Sequence, residues 1–176
     1  MVFSSVASLD KRKVADVLVL PLWQLKTSAE CAAKCGSLKS HAQGPVSTGD
    51  FKGKMGEVIS IYPSKNKEKR VVLLGLGKKS EVSTETLRRS YAKLAQFCQK
   101  KEEVTSLNVL LPEGSSLEKE AVARGITEGL LLANYSFDKL KKDSLKNSQS
   151  VLLKKVVFVG ADRSLMTKVN KAKLLC

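Results

Sequence analysis

Arg70-Val71-Val72-Leu73-Leu74-Gly75-Leu76-Gly77-Lys78-Lys79 is the stretch on which the fold turns. Its first residues form a β-rich apolar run with no polar position between Val71 and Leu74, the pattern of a strand covered on both faces. Two glycines then permit a tight exit from the strand. Ser83 and Thr84 follow as caps of a helix whose first turn carries Glu85. Leu87, Tyr91, Leu94 and Cys98 recur at i, i+4, i+7 and i+11, one helical face, and Lys100 and Lys101 suit its negative end. A doubly covered strand leading into an amphipathic helix is the unit of an α/β protein.

The same unit recurs on either side. Ala15 to Leu20 reads as a buried strand that stops at Pro21, where a ladder donor is missing. Thr27-Ser28-Ala29-Glu30 has capping-box form and predicts a short helix through Cys35, closed by Gly36. Residues 36–56, with five glycines and Pro45, read as loop. Glu57 to Tyr62 alternates, with Val58, Ser60 and Tyr62 on one side and Ile59 and Ile61 on the other. Across the polar turn 63–69 it forms a candidate hairpin with Arg70 to Leu74, which implies a mixed sheet. Ser106 to Leu111 is a further strand, stopped by Pro112-Glu113-Gly114. Ser115-Ser116-Leu117-Glu118 is a second capping box, opening a helix to about Asn134 with Val122, Ile126, Leu130 and Ala133 inward. A lysine-rich connection spans Tyr135 to Ser150, and Leu152 to Gly160 holds the last strand. From Asp162 the pattern is helical, with Leu165, Val169 and Leu174 apolar, and it reaches Cys176 without a closing Gly or Pro. The expected fold is an α/β sandwich: a mixed, mostly parallel sheet with helices on both faces.

A chain of 176 residues, 43% hydrophobic and 27% charged, is one ordinary domain with enough length for a sizeable core. The longest uncharged apolar runs, Val156 to Ala161 and Gly129 to Ala133, are far too short to span a bilayer. MVFSSVASLDKRK lacks the basic-then-apolar form of a secretory signal, so an intracellular, cytoplasmic protein with no membrane partner is expected. The net charge of +14 favours acidic partners such as nucleic acid, although 5% aromatics leaves little for base stacking. A solvated lysine-rich surface is the plainer reading of the same charge.

The search for chemistry mostly comes back empty. There is no HExxH, no GxSxG and no cluster of Asp and Glu beside apolar strand ends. His41, the only imidazole, sits in the Gly/Ser-rich loop and is read as an exposed loop histidine. Cys31 and Cys35 would share a helical face, but no further Cys or His stands at zinc spacing. They are read, with Cys98 and Cys176, as reduced thiols. Gly75-Leu76-Gly77-Lys78-Lys79-Ser80 follows a strand as a phosphate loop does, yet it lacks the full P-loop and the third glycine of a dinucleotide fingerprint. The structural reading of its glycines is preferred.

Four stretches together resemble the N-terminal domain of the two-metal leucyl (cytosol) aminopeptidase family, bacterial type. Ala15 to Pro21 resembles the family's early strand, and Gly49-Asp50-Phe51-Lys52-Gly53-Lys54-Met55-Gly56-Glu57 its following loop. Arg70 to Lys79 resembles the strand before a helix that here contains Leu87, Arg88 and Ala92. Glu128-Gly129-Leu130-Leu131-Leu132-Ala133-Asn134-Tyr135-Ser136-Phe137-Asp138-Lys139-Leu140-Lys141 resembles the end of its long helix and the turn after it.

The resemblance implies a three-layer, macro-domain-like sandwich over residues 1–161. It makes residues 162–176 the start of a linker helix to a C-terminal catalytic domain. That domain would carry two divalent metals, manganese or zinc, on Asp, Glu and Lys residues that include an Asn-Thr-Asp-Ala-Glu-Gly-Arg motif. The motif does not occur in this sequence, so no catalytic, metal or cofactor residue is assigned to it. The implied parent is a metalloexopeptidase, a homo-hexamer that releases N-terminal amino acids from peptides, and this chain alone is expected to be inactive. One alternative is a basic nucleic-acid-binding module, since some family members also bind DNA. Lys139, Lys141, Lys142 and Lys146 and the cations of 163–173 would then carry the phosphates. Another is a stand-alone macro-like ligand-binding domain. The glycine-rich phosphate loops such a pocket uses are not evident, and no heat with ADP-ribose is expected.

Overall fold

The computed structural model describes residues 1–34, 36–64, 66–101, 103–135 and 152–174. Seven strands form one sheet: β1 (Val2–Val6), β2 (Val17–Gln24), β3 (Ala29–Cys31), β4 (Val58–Ile61), β5 (Arg70–Lys78), β6 (Ser106–Leu110) and β7 (Lys155–Val159). The helices are α1 (Lys39–Ser47), α2 (Thr84–Gln99), α3 (Lys119–Ala133) and α4 (Arg163–Leu174). The strand order is β1-β7-β6-β2-β5-β4, with β3 paired to β2. Every pairing from β1 to β5 along this order is parallel, and β4 and β3 add the antiparallel pairs. The mixed, mostly parallel sheet and the 57–74 hairpin are as the sequence indicates.

Alternation along the central strands builds two cores. Val17, Val19, Val72, Leu74, Leu107, Val109, Val156 and Phe158 point to one face, where Leu87, Tyr91 and Leu94 of α2, Ile126 and Leu130 of α3 and Val169 of α4 cover them. Leu18, Leu20, Leu22, Val71 and Leu73 point to the other, against Leu38, Ala42 of α1 and Phe51. Three helices therefore lie on one face and one short helix on the other. Ser83 caps α2 as expected, its hydroxyl accepting from the Thr86 amide at 3.1 Å while Thr86 Oγ1 accepts from the Ser83 amide at 2.8 Å.

Several local expectations are corrected, each by a tertiary contact. Residues 27–35 do not form a helix. Thr27 and Ser28 lie in a hairpin turn in which the Leu25 amide donates to the Ser28 carbonyl at 2.7 Å, and β3 returns along β2. The edge it occupies is free because β6 pairs only with Val17 to Val19. For the same reason β2 runs on through Pro21: its missing donor falls between the end of the β6 ladder and the start of the β3 ladder at Leu22. Within 36–56 stands α1, despite Gly44 and Pro45. Leu38 and Ala42, four residues apart, are buried under the sheet, and that burial outweighs the donor lost at Pro45.

Gly75 and Gly77 lie inside β5 rather than in an exit turn. The segment 53–57 crosses there: the Gly75 amide donates to the Glu57 carbonyl at 2.8 Å and the Gly77 amide to the Gly53 carbonyl at 3.0 Å. A Cβ at Gly75 would lie inside the Lys54 carbonyl oxygen and 2.8 Å from the Gly53 carbonyl carbon. The second capping box does not form, since α3 starts from Glu118 without a side-chain cap. The preceding loop is held back toward β2 by Trp23 Nε1, which donates to the Glu113 carbonyl at 3.1 Å, and by the Glu113 amide on the Ala32 carbonyl. Leu174 is exposed, and Ala172 takes the inward place on α4 beside Leu165 and Val169. Met1 to Val6, unassigned from sequence, supplies β1 beside β7, with Phe3 stacked on Phe158 at 5.7 Å.

Candidate functional site

The adjacent parallel strands β2, β5 and β6 run toward the same edge of the sheet, and residues at or beyond their carboxyl ends line an open crevice. It measures about 970 Å³, in the range of small-molecule sites. Gln24 to Lys26 come from the end of β2, Lys78 to Glu81 from the end of β5, and Gly114 to Ser116 from the loop after β6. A second hollow of about 350 Å³ continues past Gly114 and Ser115 toward Asp162. Lys119 donates to Asp162 Oδ2 at 2.7 Å and the Leu165 amide to Oδ1 at 2.7 Å. The lysine first, then the amide, hold the Asp162 carboxyl below its ordinary range.

Charge in the larger crevice is uneven. Lys78 is paired with Glu81 at 2.7 Å. Among the described residues, Lys26 and Lys79 have no carboxylate within ion-pair distance. Lys79 extends its ammonium across the loop after β6: a Cβ on Gly114, which has φ +70°, would lie 2.9 Å from Lys79 Nζ. Gly114 thus provides both a left-handed turn and the space the ammonium occupies.

The residues weighed from sequence are scattered. His41 is half-buried on α1 and lines a different hollow, with Asp10 and Arg12, at the far side of the second core. Cys31 lies in β3 and donates to the Ala33 carbonyl at 3.3 Å; Cys35 and Cys176 lie outside the described residues. Cys98 is buried on the inner face of α2, and burial pushes its thiol up to about 12. No three His, Cys, Asp or Glu side chains among the described residues stand close enough together to hold a metal ion. The two metals implied by the family resemblance therefore find no fitting ligand set there.

The basic segments fare unequally. Lys139, Lys141, Lys142 and Lys146 lie outside the described residues. On α4, Lys168 and Lys171 both reach Glu120 of α3, at 2.8 and 3.7 Å, leaving Arg163 and Lys173 as its outward charge. The crevice itself escaped the sequence reading. Lys26, Lys79 and Ser115 are far apart in the chain, and only the parallel register of β2, β5 and β6 brings their loops together.

Comparison with known proteins follows the same outline. The family model described as "Cytosol aminopeptidase family, N-terminal domain" matches residues 19–144. A probable cytosol aminopeptidase of Protochlamydia amoebophila is 41% identical over 176 residues, all of this chain and 35% of the relative. One from Chlamydia caviae is 38% identical over 163 residues, 91% of this chain and 32% of the relative. This chain thus spans about a third of the length of the curated relatives it matches. Among solved structures, a mutant tomato leucine aminopeptidase superimposes with a TM-score of 0.68 at 18% identity, over 99% of this chain and 35% of that one. The bottromycin maturation enzyme BotP does so with a TM-score of 0.61 at 21% identity, over 90% and 29%. At these identities the structural likeness shows the fold alone. No helix of the described residues is long and apolar enough to cross a membrane.

Proposed function

The chain belongs to the cytosol aminopeptidase family, as its N-terminal domain, and from that premise we propose that it is the non-catalytic part of a two-metal leucyl aminopeptidase. The carrying observation is the 41% identity along the whole chain to a relative nearly three times as long. Catalysis then belongs to a C-terminal domain, where two divalent metals, manganese or zinc, supply Lewis-acid activation of the peptide carbonyl and of water. BotP, a structural neighbour, is also known in complex with manganese, which supports the choice of metal. In this reading residues 1–161 are the domain proper and 162–176 begin the linker helix.

The parent releases N-terminal amino acids from peptides in the cytoplasm as a homo-hexamer, and this domain shapes the assembly and screens access to the site. The test is turnover of leucine p-nitroanilide with manganese. This chain by itself is expected to show none, and a rate normal for an aminopeptidase would overturn the assignment of catalysis to another domain.

A second reading, sequence-tolerant nucleic-acid binding, draws on the net charge of +14. Arg163 and Lys173 on α4 are its described contributors. A gel-shift series with duplex DNA at low salt tests it, and no shift removes it.

A further inference from the structure

We propose that the crevice beyond the carboxyl ends of β2, β5 and β6 binds a small phosphate-bearing molecule through Lys26, Lys79 and the hydroxyls of Ser115 and Ser116. β2 and β5 are adjacent and parallel, but the chain leaving β2 passes through α1 on one face of the sheet. The chain leaving β5 enters α2 on the other face. Loops that depart to opposite faces from neighbouring parallel strands leave a crevice between them, and ligands of open α/β sheets bind at that switch point. Lys78 to Glu81, which leaves β5, and Gln24 to Lys26, the end of β2 and the start of its hairpin to β3, line the 970 Å³ crevice.

Three lysines and one glutamate line the crevice, and the glutamate is engaged by Lys78. Lys26 and Lys79 therefore line the same crevice without an ion-pair partner among the described residues. A dianionic group bound there meets two cations, and flanking hydroxyls satisfy its remaining oxygens. The wall after β6 is tied to Trp23 of β2 and to Ala32 just after β3, and Gly114 keeps a cradle open for the Lys79 ammonium. This contrasts with the sequence, which contains no glycine-rich phosphate loop: the contacts come from lysines on separate segments. The proposal does not depend on the aminopeptidase reading.

The experiment is isothermal titration calorimetry of the full chain with inorganic pyrophosphate and, separately, with ADP. The two arms distinguish an inorganic from an organic phosphate source. The same titrations are run on a Lys26→Ala/Lys79→Ala variant and on a Lys154→Ala/Lys155→Ala control at the opposite ends of the strands. All four substituted lysines are exposed, so folding, checked by circular dichroism, is expected to be retained. Saturable one-site binding of either probe, weakened at least tenfold in the first variant and unchanged in the control, is the expected result. Backbone amide shifts of Lys79 and Gly114 in the unaltered chain provide a second readout, and they should move on addition of the probe. No saturation by either probe, or an equal loss in both variants, overturns the proposal. Binding of duplex DNA alone overturns it in favour of a nucleic-acid surface.

Discussion

Arg12 and Glu68, fifty-six residues apart, meet as a buried two-point ion pair, Nε to Oε1 at 2.8 Å and Nη2 to Oε2 at 2.9 Å. Glu68 is fully buried, and the Asn108 amide of β6 donates to its Oε1 at 2.7 Å and to the Lys13 carbonyl at 2.8 Å. The pair ties the chain before β2 to the turn before β5. Removing one partner leaves an uncompensated buried charge, so Glu68→Ala or Arg12→Ala should each cost about 3–5 kcal/mol in denaturant unfolding. Replacing both, as Arg12→Met with Glu68→Leu, should cost markedly less than the sum. A double variant as unstable as that sum would show that the pair is not a coupled unit.

Stability should fall on acidification. Burial alone would raise the Glu68 carboxyl, but hydrogen bonds from Arg12 and Asn108 outweigh it and hold the group below its ordinary range. Asp16 behaves alike: burial raises it, and Ser106 and Thr105, donating at 2.7–3.2 Å, lower it further than burial lifts it. A carboxyl depressed in the folded state stabilises above its unfolded value, about 4. That contribution is lost as pH falls through the lower, folded value. Urea midpoints should therefore be level near neutrality and decline below about pH 4. Asp16→Asn should flatten part of that decline, and an unchanged slope would remove Asp16 from the account.

The ladder of buried strands and the α2 face were legible because their signals are local. Val71 to Leu74 carry no polar residue, and Leu87, Tyr91, Leu94 and Cys98 keep one helical period. What stayed hidden depends on pairing partners distant in sequence. Thr27 to Glu30 carries a sound capping signal, but the vacant edge of β2 offers a ladder, and the ladder wins. Lys39 to Ser47 looks like loop from Gly44 and Pro45, yet Leu38 and Ala42 have a sheet face to cover. Glu68 looks like part of a polar turn until Arg12 and Asn108 arrive from elsewhere. The crevice has the same origin, three loops assembled by parallel register.

Gly125 and Gly129 let α3 lie unusually close to α2. A Cβ at Gly129 would fall against the Arg88 carbonyl and 3.1 Å from Tyr91 Cβ; one at Gly125 would be 2.8 Å from the Thr84 carbonyl oxygen. The opposing groups are backbone, which yields only if the helices separate. Gly129→Ala should destabilise by roughly 1–3 kcal/mol although alanine is the better helix former. Gly44→Ala in α1, where a Cβ meets nothing within 4 Å, is the matched control and should be neutral or stabilising. Equal thermal shifts in the two variants would contradict close helix packing as the reason for Gly129.

Cys98 and Cys31 should differ sharply in reactivity. Attack on a disulfide reagent requires thiolate, and a thiol pushed up to about 12 by burial carries almost none at neutral pH. Its side chain is also inaccessible beneath α2, whereas Cys31 is half-buried on β3. A variant retaining only Cys98 should be unreactive toward a chromogenic aromatic disulfide under native conditions and should react fully in denaturant. One retaining only Cys31 should react in the native state. Because Cys98 then reports only on opening of the α2 core, its labelling rate should rise in Gly129→Ala in step with the loss of stability. A rate that stays constant while stability falls would mean that the thiol is reached by a local path rather than by unfolding.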